Sequence, residues 1–193
     1  AYVRDGGGTY RSIYGDKLKK VTYWTEEDFK TGRVFESDVP LETRILLDRY
    51  EDSDEPSKNH RELFFDIEVE VTDGFPEPSK AQNKVTSVAM YTKHDGKYRV
   101  YVLGEGQNNI KDEVDIRFYS TESELLKEFL RYWIKVQPTC VTGWNTNGFD
   151  IPYLYNRLSK ILGEEFANDL SPIQIVKYNP NKKMYRIAGV SSL

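Results

Sequence analysis

Two carboxylates stand two residues apart in Leu63-Phe64-Phe65-Asp66-Ile67-Glu68-Val69. A third, Asp150, closes the segment Gly143-Trp144-Asn145-Thr146-Asn147-Gly148-Phe149-Asp150. Phe65, Ile67, Val69 and Val71 alternate with Phe64, Asp66, Glu68 and Glu70, which is the period of a β-strand. Residues two apart on a strand point to the same face, about 6.5–7 Å apart along the backbone. Asp66 and Glu68 therefore project together. Oxygen donors gathered this way suit hard divalent cations, and a pair of such ions can work on a phosphodiester. Without cations, neighbouring carboxylates repel and one tends to protonate. Glu70 extends the row but lies further along and is not taken as a ligand. Plainer readings stand beside these. Asp66 and Glu68 also fit a charged, solvated strand face. Asp150 also fits a helix cap ahead of Pro152, and Asn145 a polar residue at a strand end.

The elements that must position these residues follow from local pattern. Val85–Thr92 and Tyr98–Leu103 read as strands, and the Asp95-Gly96 turn between them predicts a hairpin. Thr121 with Glu124 three residues later has the form of a capping box. Leu125, Leu126, Phe129, Leu130, Trp133 and Ile134 follow at helical spacing, and Pro138 ends that helix. Residues 140–144 read as a further strand. A helix is predicted from near Asp150, with Ile151, Leu154, Tyr155, Leu158, Ile161 and Leu162 on its apolar face and Gly163 as its stop. Segments 173–178 and 184–187 flank Asn179-Pro180-Asn181-Lys182 and predict a second hairpin. The order is strand, strand, strand, helix, strand, helix, hairpin: a mixed α/β layout whose sheet starts antiparallel.

Residues 1–60 differ from the rest. They carry a turn at Gly6-Gly7-Gly8, short apolar runs near 20–24 and 42–50, and an acidic connector at 51–59 read as a solvated linker. The chain has 193 residues, 38% hydrophobic and 30% charged, with a net charge of −4. That balance argues against nucleic-acid binding through a broad basic face, but not against an acidic, metal-dependent site. No apolar run reaches the roughly 20 residues of a membrane span, and no signal peptide is expected. Cys140 is the only cysteine, expected to be a buried thiol in an intracellular protein. His60 and His94 lie in polar sequence and do not make a zinc site. The chain starts with Ala rather than Met, and the natural start is expected to be missing.

Phe65-Asp66-Ile67-Glu68-Val69 resembles the first exonuclease motif of family B DNA polymerases, and the segment from Gly143 through Asp150 to Tyr153 resembles the second. Asn156-Arg157-Leu158, Ile161-Leu162-Gly163 and Ser171-Pro172-Ile173 are similar to the polymerases of T-even-like bacteriophages. Ile13-Tyr14-Gly15 is similar to part of their N-terminal domain. The resemblance covers most of 61–193 and more thinly 10–60. It implies a ribonuclease H-like mixed sheet with flanking helices, preceded by a small N-terminal segment. Residues 1–60 would then be part of an N-terminal domain with its connector, and 61–193 a 3′→5′ exonuclease domain. It implies Asp66, Glu68 and Asp150 as catalytic, metal-binding carboxylates, with two Mg²⁺ (or Mn²⁺) ions in the complete domain. Asn145 would contact the substrate strand or support the site, and Phe149, a packing residue beside the site, is grouped with it as substrate-binding. The implied partner is DNA: a single-stranded 3′ end, and primer-template for the full enzyme. A sliding clamp is expected for the full enzyme only. The implied location is the cytoplasm, of the host cell if phage-encoded.

The family's third exonuclease motif, a Tyr with an Asp four residues on, has no match: Tyr178 is followed by Lys182 and Tyr185 by Gly189. The chain is therefore expected to be a fragment of a longer polymerase, cut before the exonuclease domain ends, and weak or inactive alone. Two alternatives remain at this stage. One is a stand-alone ribonuclease H-like nuclease. The other is a non-catalytic binding module whose acids are only a solvated face and a helix cap.

Overall fold

The computed structural model describes every residue except Ser57 and Asp73, and only the backbone of Leu41. Ser57, within the predicted acidic connector, thus lies outside the described residues. The chain divides into two units, residues 1–56 and 57–193.

The first unit holds β1 (Tyr2–Arg4), β2 (Tyr10–Arg11), β3 (Lys17–Lys20), α1 (Glu26–Lys30), β4 (Val34–Phe35) and α2 (Leu41–Tyr50). Its strands form one sheet in the order β2-β3-β1-β4. The short apolar run near 20–24 lies at and just past the end of β3, and the run at 42–50 falls in the ten-residue helix α2. The described residues of the connector are exposed.

The second unit opens with β5 (Glu62–Val69), β6 (Val85–Thr92), β7 (Lys97–Leu103), β8 (Asn109–Ile110) and β9 (Val114–Tyr119). Then come α3 (Glu122–Val136), β10 (Cys140–Thr142), a π-helical turn (Thr146–Asp150) and α4 (Ile151–Ile161). It ends with α5 (Glu164–Asn168), β11 (Val176–Asn179), β12 (Met184–Ile187) and β13 (Ser191–Ser192). Seven strands form a mixed sheet in the order β13-β10-β5-β6-β7-β9-β8. β5, β6 and β7 run antiparallel in turn, while β10 lies parallel to β5 and β9 parallel to β7. The predicted hairpin 85–103 and the antiparallel start of the sheet are both present. Among the described residues, β11 and β12 pair only with each other.

Strand alternation in β5 sorts the site from the core. Leu63, Phe65 and Ile67 are buried, whereas Phe64, Asp66 and Glu68 are exposed on the opposite face. The core side joins Leu125, Leu126, Phe129 and Trp133 of α3 to Ile151, Leu154 and Leu158 of α4. Phe65 meets the Trp133 ring edge-on, with centroids 6.0 Å apart. The Trp133 indole N–H donates to the Leu170 carbonyl at 2.9 Å, so its polar atom is satisfied inside the core.

The capping box forms as predicted. The Thr121 hydroxyl accepts from the Glu124 N–H, and the Glu124 carboxylate accepts from the Thr121 N–H. Replacing Thr121 by alanine is expected to lower stability by about 1 kcal/mol, read as a fall in the urea midpoint. The helix stops at Val136, where Gln137 turns left-handed ahead of Pro138.

Several sequence expectations are corrected. β9 was not foreseen between the hairpin and α3. Its Val-Asp-Ile-Arg-Phe-Tyr pattern tolerates charge because the Arg117 guanidinium forks onto the buried Asp115 at 2.9 and 2.8 Å. The strand predicted over 140–144 ends at Thr142. The second hairpin begins at Val176 rather than at 173, and Val71, outside β5, is exposed. Cys140 is half-buried rather than buried. Gly163 stops α4 in a positive-φ conformation, but an unforeseen short helix, α5, follows it directly.

Candidate nuclease site

β5 sets the first two carboxylates. Asp66 stands opposite Ala89 and Glu68 opposite Ser87, small neighbours that leave the acids open to solvent. The pairing register slips between Glu68 and Val69. Such irregularities re-aim side chains beside functional sites.

Asp150 arrives from the other side of the strand. β10 pairs with β5 only as far as Thr142 and Phe64. Beyond that point the Ile67 N–H donates to Asp150 Oδ1 at 3.2 Å. The third acid therefore takes a strand hydrogen bond at the residue lying between Asp66 and Glu68. The chain reaches it by a close approach at Gly143, where a Cβ would stand 2.2 Å from the Phe65 carbonyl oxygen. No side chain fits there. Asn145 then turns left-handed (φ 56°), and the π-helical turn 146–150 runs into α4.

This overturns two plainer readings. Asp150 makes no side-chain cap bond and has helical backbone angles, because the helical path already begins at Thr146. Asn145 is not a strand end but the hinge residue of the π turn. Asp150 is only 2% exposed. Burial pushes its carboxyl up, the Ile67 N–H opposes that, and the negative charges of Asp66 and Glu68 push it further, to about 6.

Among the described residues, no three acidic, histidine or cysteine side chains converge as a ready metal-ligand cluster. Asp150 is turned to the backbone of β5, while Asp66 and Glu68 face solvent. The donor set nevertheless fits a hard divalent cation. It is all carboxylate oxygen, and a positive ion would offset the burial and the like-charge repulsion that together hold Asp150 towards its neutral form.

Phe149 is half-buried. It stacks on Tyr153 at 5.4 Å and meets Phe75 at 5.3 Å. Phe75 and Trp144, exposed by 82% and 90%, flank the site, and neither stood out in the sequence. Their signal was an aromatic ring in a turn-rich polar setting, where core burial gives no reason for one. The face of β5 bearing Asp66 also carries a cross-strand aromatic row, Phe64–Tyr91–Tyr98, with centroids 6.0 and 4.7 Å apart.

A seven-stranded mixed sheet with flanking helices, carrying acids on one strand and on the turn into a neighbouring helix, is the architecture of a ribonuclease H-like nuclease domain. Residues 35–192 match the model of the DNA polymerase family B exonuclease domain, and the chain belongs to that family. It is 34% identical over 145 residues to the DNA-directed DNA polymerase of Escherichia phage RB69, covering 63% of this chain and 16% of that protein. It is 31% identical over 157 residues to the enzyme of Enterobacteria phage T4, covering 65% and 18%. The DNA polymerase delta catalytic subunit of Dictyostelium discoideum is 35% identical over 156 residues, covering 78% and 14%. The chain thus spans less than a fifth of the length of each. No helix among the described residues is long and apolar enough to cross a membrane.

Proposed function

We propose that this chain carries part of the proofreading exonuclease of a DNA polymerase, an activity that removes nucleotides from a single-stranded 3′ end in the 3′→5′ direction. The observation that carries this reading is Asp150 seated on the Ile67 N–H, between Asp66 and Glu68. Residues 1–60 would belong to an N-terminal domain and its connector, and 61–193 to the exonuclease domain. Asp66, Glu68 and Asp150 would hold Mg²⁺ or Mn²⁺. When bound, such ions supply a water of lowered pKa and charge stabilisation at the leaving 3′ oxygen.

The chain's own residues do the rest. Asp150 keeps its carboxylate aimed by the strand hydrogen bond, so it need not be ordered afresh when substrate arrives. Asn145 offers its amide to the DNA strand. Phe149 holds Phe75 at the rim, where an exposed ring can stack on an unpaired base. A duplex base pair keeps its bases stacked inside, so frayed or mismatched ends are favoured. The whole polymerase would act on primer-template DNA with a sliding clamp, in the cytoplasm in which its genome is copied.

Digestion of 5′-labelled single-stranded DNA in Mg²⁺ or Mn²⁺ by the whole polymerase that carries this chain tests this. Stepwise shortening from the 3′ end should slow by about 100-fold or more in Asp66→Asn, the loss of several kcal/mol of charge stabilisation. Shortening at the wild-type rate in both Asp66→Asn and Asp150→Asn would overturn the assignment.

A further inference from the structure

Asn145 closes the π turn with its backbone. Its carbonyl accepts the N–H groups of Gly148 at 3.0 Å and Phe149 at 2.9 Å. Its side chain folds back over Gly148, where a Cβ would stand 2.4 Å from Asn145 Oδ1 and 3.2 Å from Cγ. Gly148 itself sits in helical backbone and is not among the positive-φ glycines. Its conformation does not demand glycine; its missing Cβ supplies the room that the amide occupies. Asn145 is exposed, and none of the hydrogen bonds among the described residues engages its side chain. The amide is thus held by contact alone, with its donors and acceptor free toward solvent.

We propose that Gly148 is a positioning residue whose bare Cα holds the Asn145 amide in the orientation that meets the single-stranded 3′ end. This rests on the role given to Asn145 above. A methyl group at position 148 meets only the far end of a side chain, not backbone, so the fold can accommodate it. Alanine also favours helical backbone over glycine. A merely structural Gly148 would therefore be neutral or improved as alanine, whereas a positioning Gly148 loses DNA.

The test is fluorescence anisotropy of a 5′-fluorescein oligothymidylate with a phosphorothioate at its 3′-terminal linkage, in Mn²⁺, with the whole chain. Asn145→Ala and Gly148→Ala should each weaken binding about tenfold, and the double variant should be no weaker than Asn145→Ala. The urea midpoint and the Mn²⁺ affinity of Gly148→Ala should be unchanged or raised. Wild-type affinity in Gly148→Ala beside a weakened Asn145→Ala overturns this inference alone. So does a double variant whose losses multiply. Wild-type affinity in Asn145→Ala, or no DNA association by the wild type, overturns the role of Asn145 and this inference with it; the Mn²⁺ titration then judges the carboxylate site separately.

Discussion

Arg157→Met should lower the stability of the chain by about 3–5 kcal/mol, the largest effect expected of any single change outside the site. Arg157 and Glu122 are each 8% exposed. The guanidinium forks onto the carboxylate with Nε–Oε1 2.7 Å and Nη2–Oε2 2.6 Å. Its Nη1 also donates to the carbonyls of Ala81 (3.1 Å) and Gln82 (2.8 Å), and Glu122 Oε1 accepts the Val85 N–H at 2.8 Å. Methionine keeps the stem's packing but strands a buried charge and two carbonyls. The clamp ties α4, whose first turn follows Asp150, to the start of α3 and to the chain entering β6. Tyr153 adds a second tie, its hydroxyl bonded to both backbone groups of Asn83. Urea unfolding near neutral pH measures the loss, and a loss under about 1 kcal/mol would contradict the clamp. In Glu122→Leu/Arg157→Met the damage should fall short of the summed singles by about 1–3 kcal/mol, because no charge remains stranded.

Asp150→Asn should do the opposite at high pH and stabilise the fold. The carboxyl is raised from its ordinary 3.8 to about 6. Below 3.8 it is neutral in both states and costs nothing. As pH rises from 3.8 to about 6, the unfolded chain releases this proton while the folded chain retains it, so folding weakens. Above about 6 the full penalty applies. A shift of about two units corresponds to about 3 kcal/mol, and solvent around Asp66 and Glu68 screens this to about 1–2 kcal/mol. Asparagine cannot ionise, and its carbonyl can still accept the Ile67 N–H. The variant should therefore be more stable than wild type near pH 8 and equal to it near pH 3.5, in urea titrations without divalent ions. Equal stability near pH 8 would mean that neither burial nor the neighbouring acids raise the Asp150 carboxyl in the folded chain.

Most of the scaffold was legible in the sequence because short-range physics writes it. Alternation placed Asp66 and Glu68 on one face of β5, the Thr121/Glu124 pair placed the start of α3, and the Asp95-Gly96 turn placed the first hairpin. β9 escaped because a charged pair, Asp115 and Arg117, interrupts its apolar pattern and is neutralised only once folded. The route to Asp150 escaped for a different reason. A π turn follows from no residue pattern; it arises where the chain must pass Gly143 against the Phe65 carbonyl and still reach the Ile67 N–H. Local sequence at Asp150 and Pro152 reads as a cap, and only the tertiary partner 83 residues away reverses that reading. The connection between Phe75 and Phe149 is likewise long-range.

The central claim is that Asp66, Glu68 and Asp150 act as one cation-holding group. Calorimetric titration of Mn²⁺ into the wild-type chain, Asp66→Asn and Asp150→Asn tests it most directly. The account predicts Mn²⁺ binding by the wild type that weakens at least about tenfold in each variant, since each removes a charged ligand. Indistinguishable heats in all three proteins would contradict it and leave Asp66 and Glu68 as a solvated strand face.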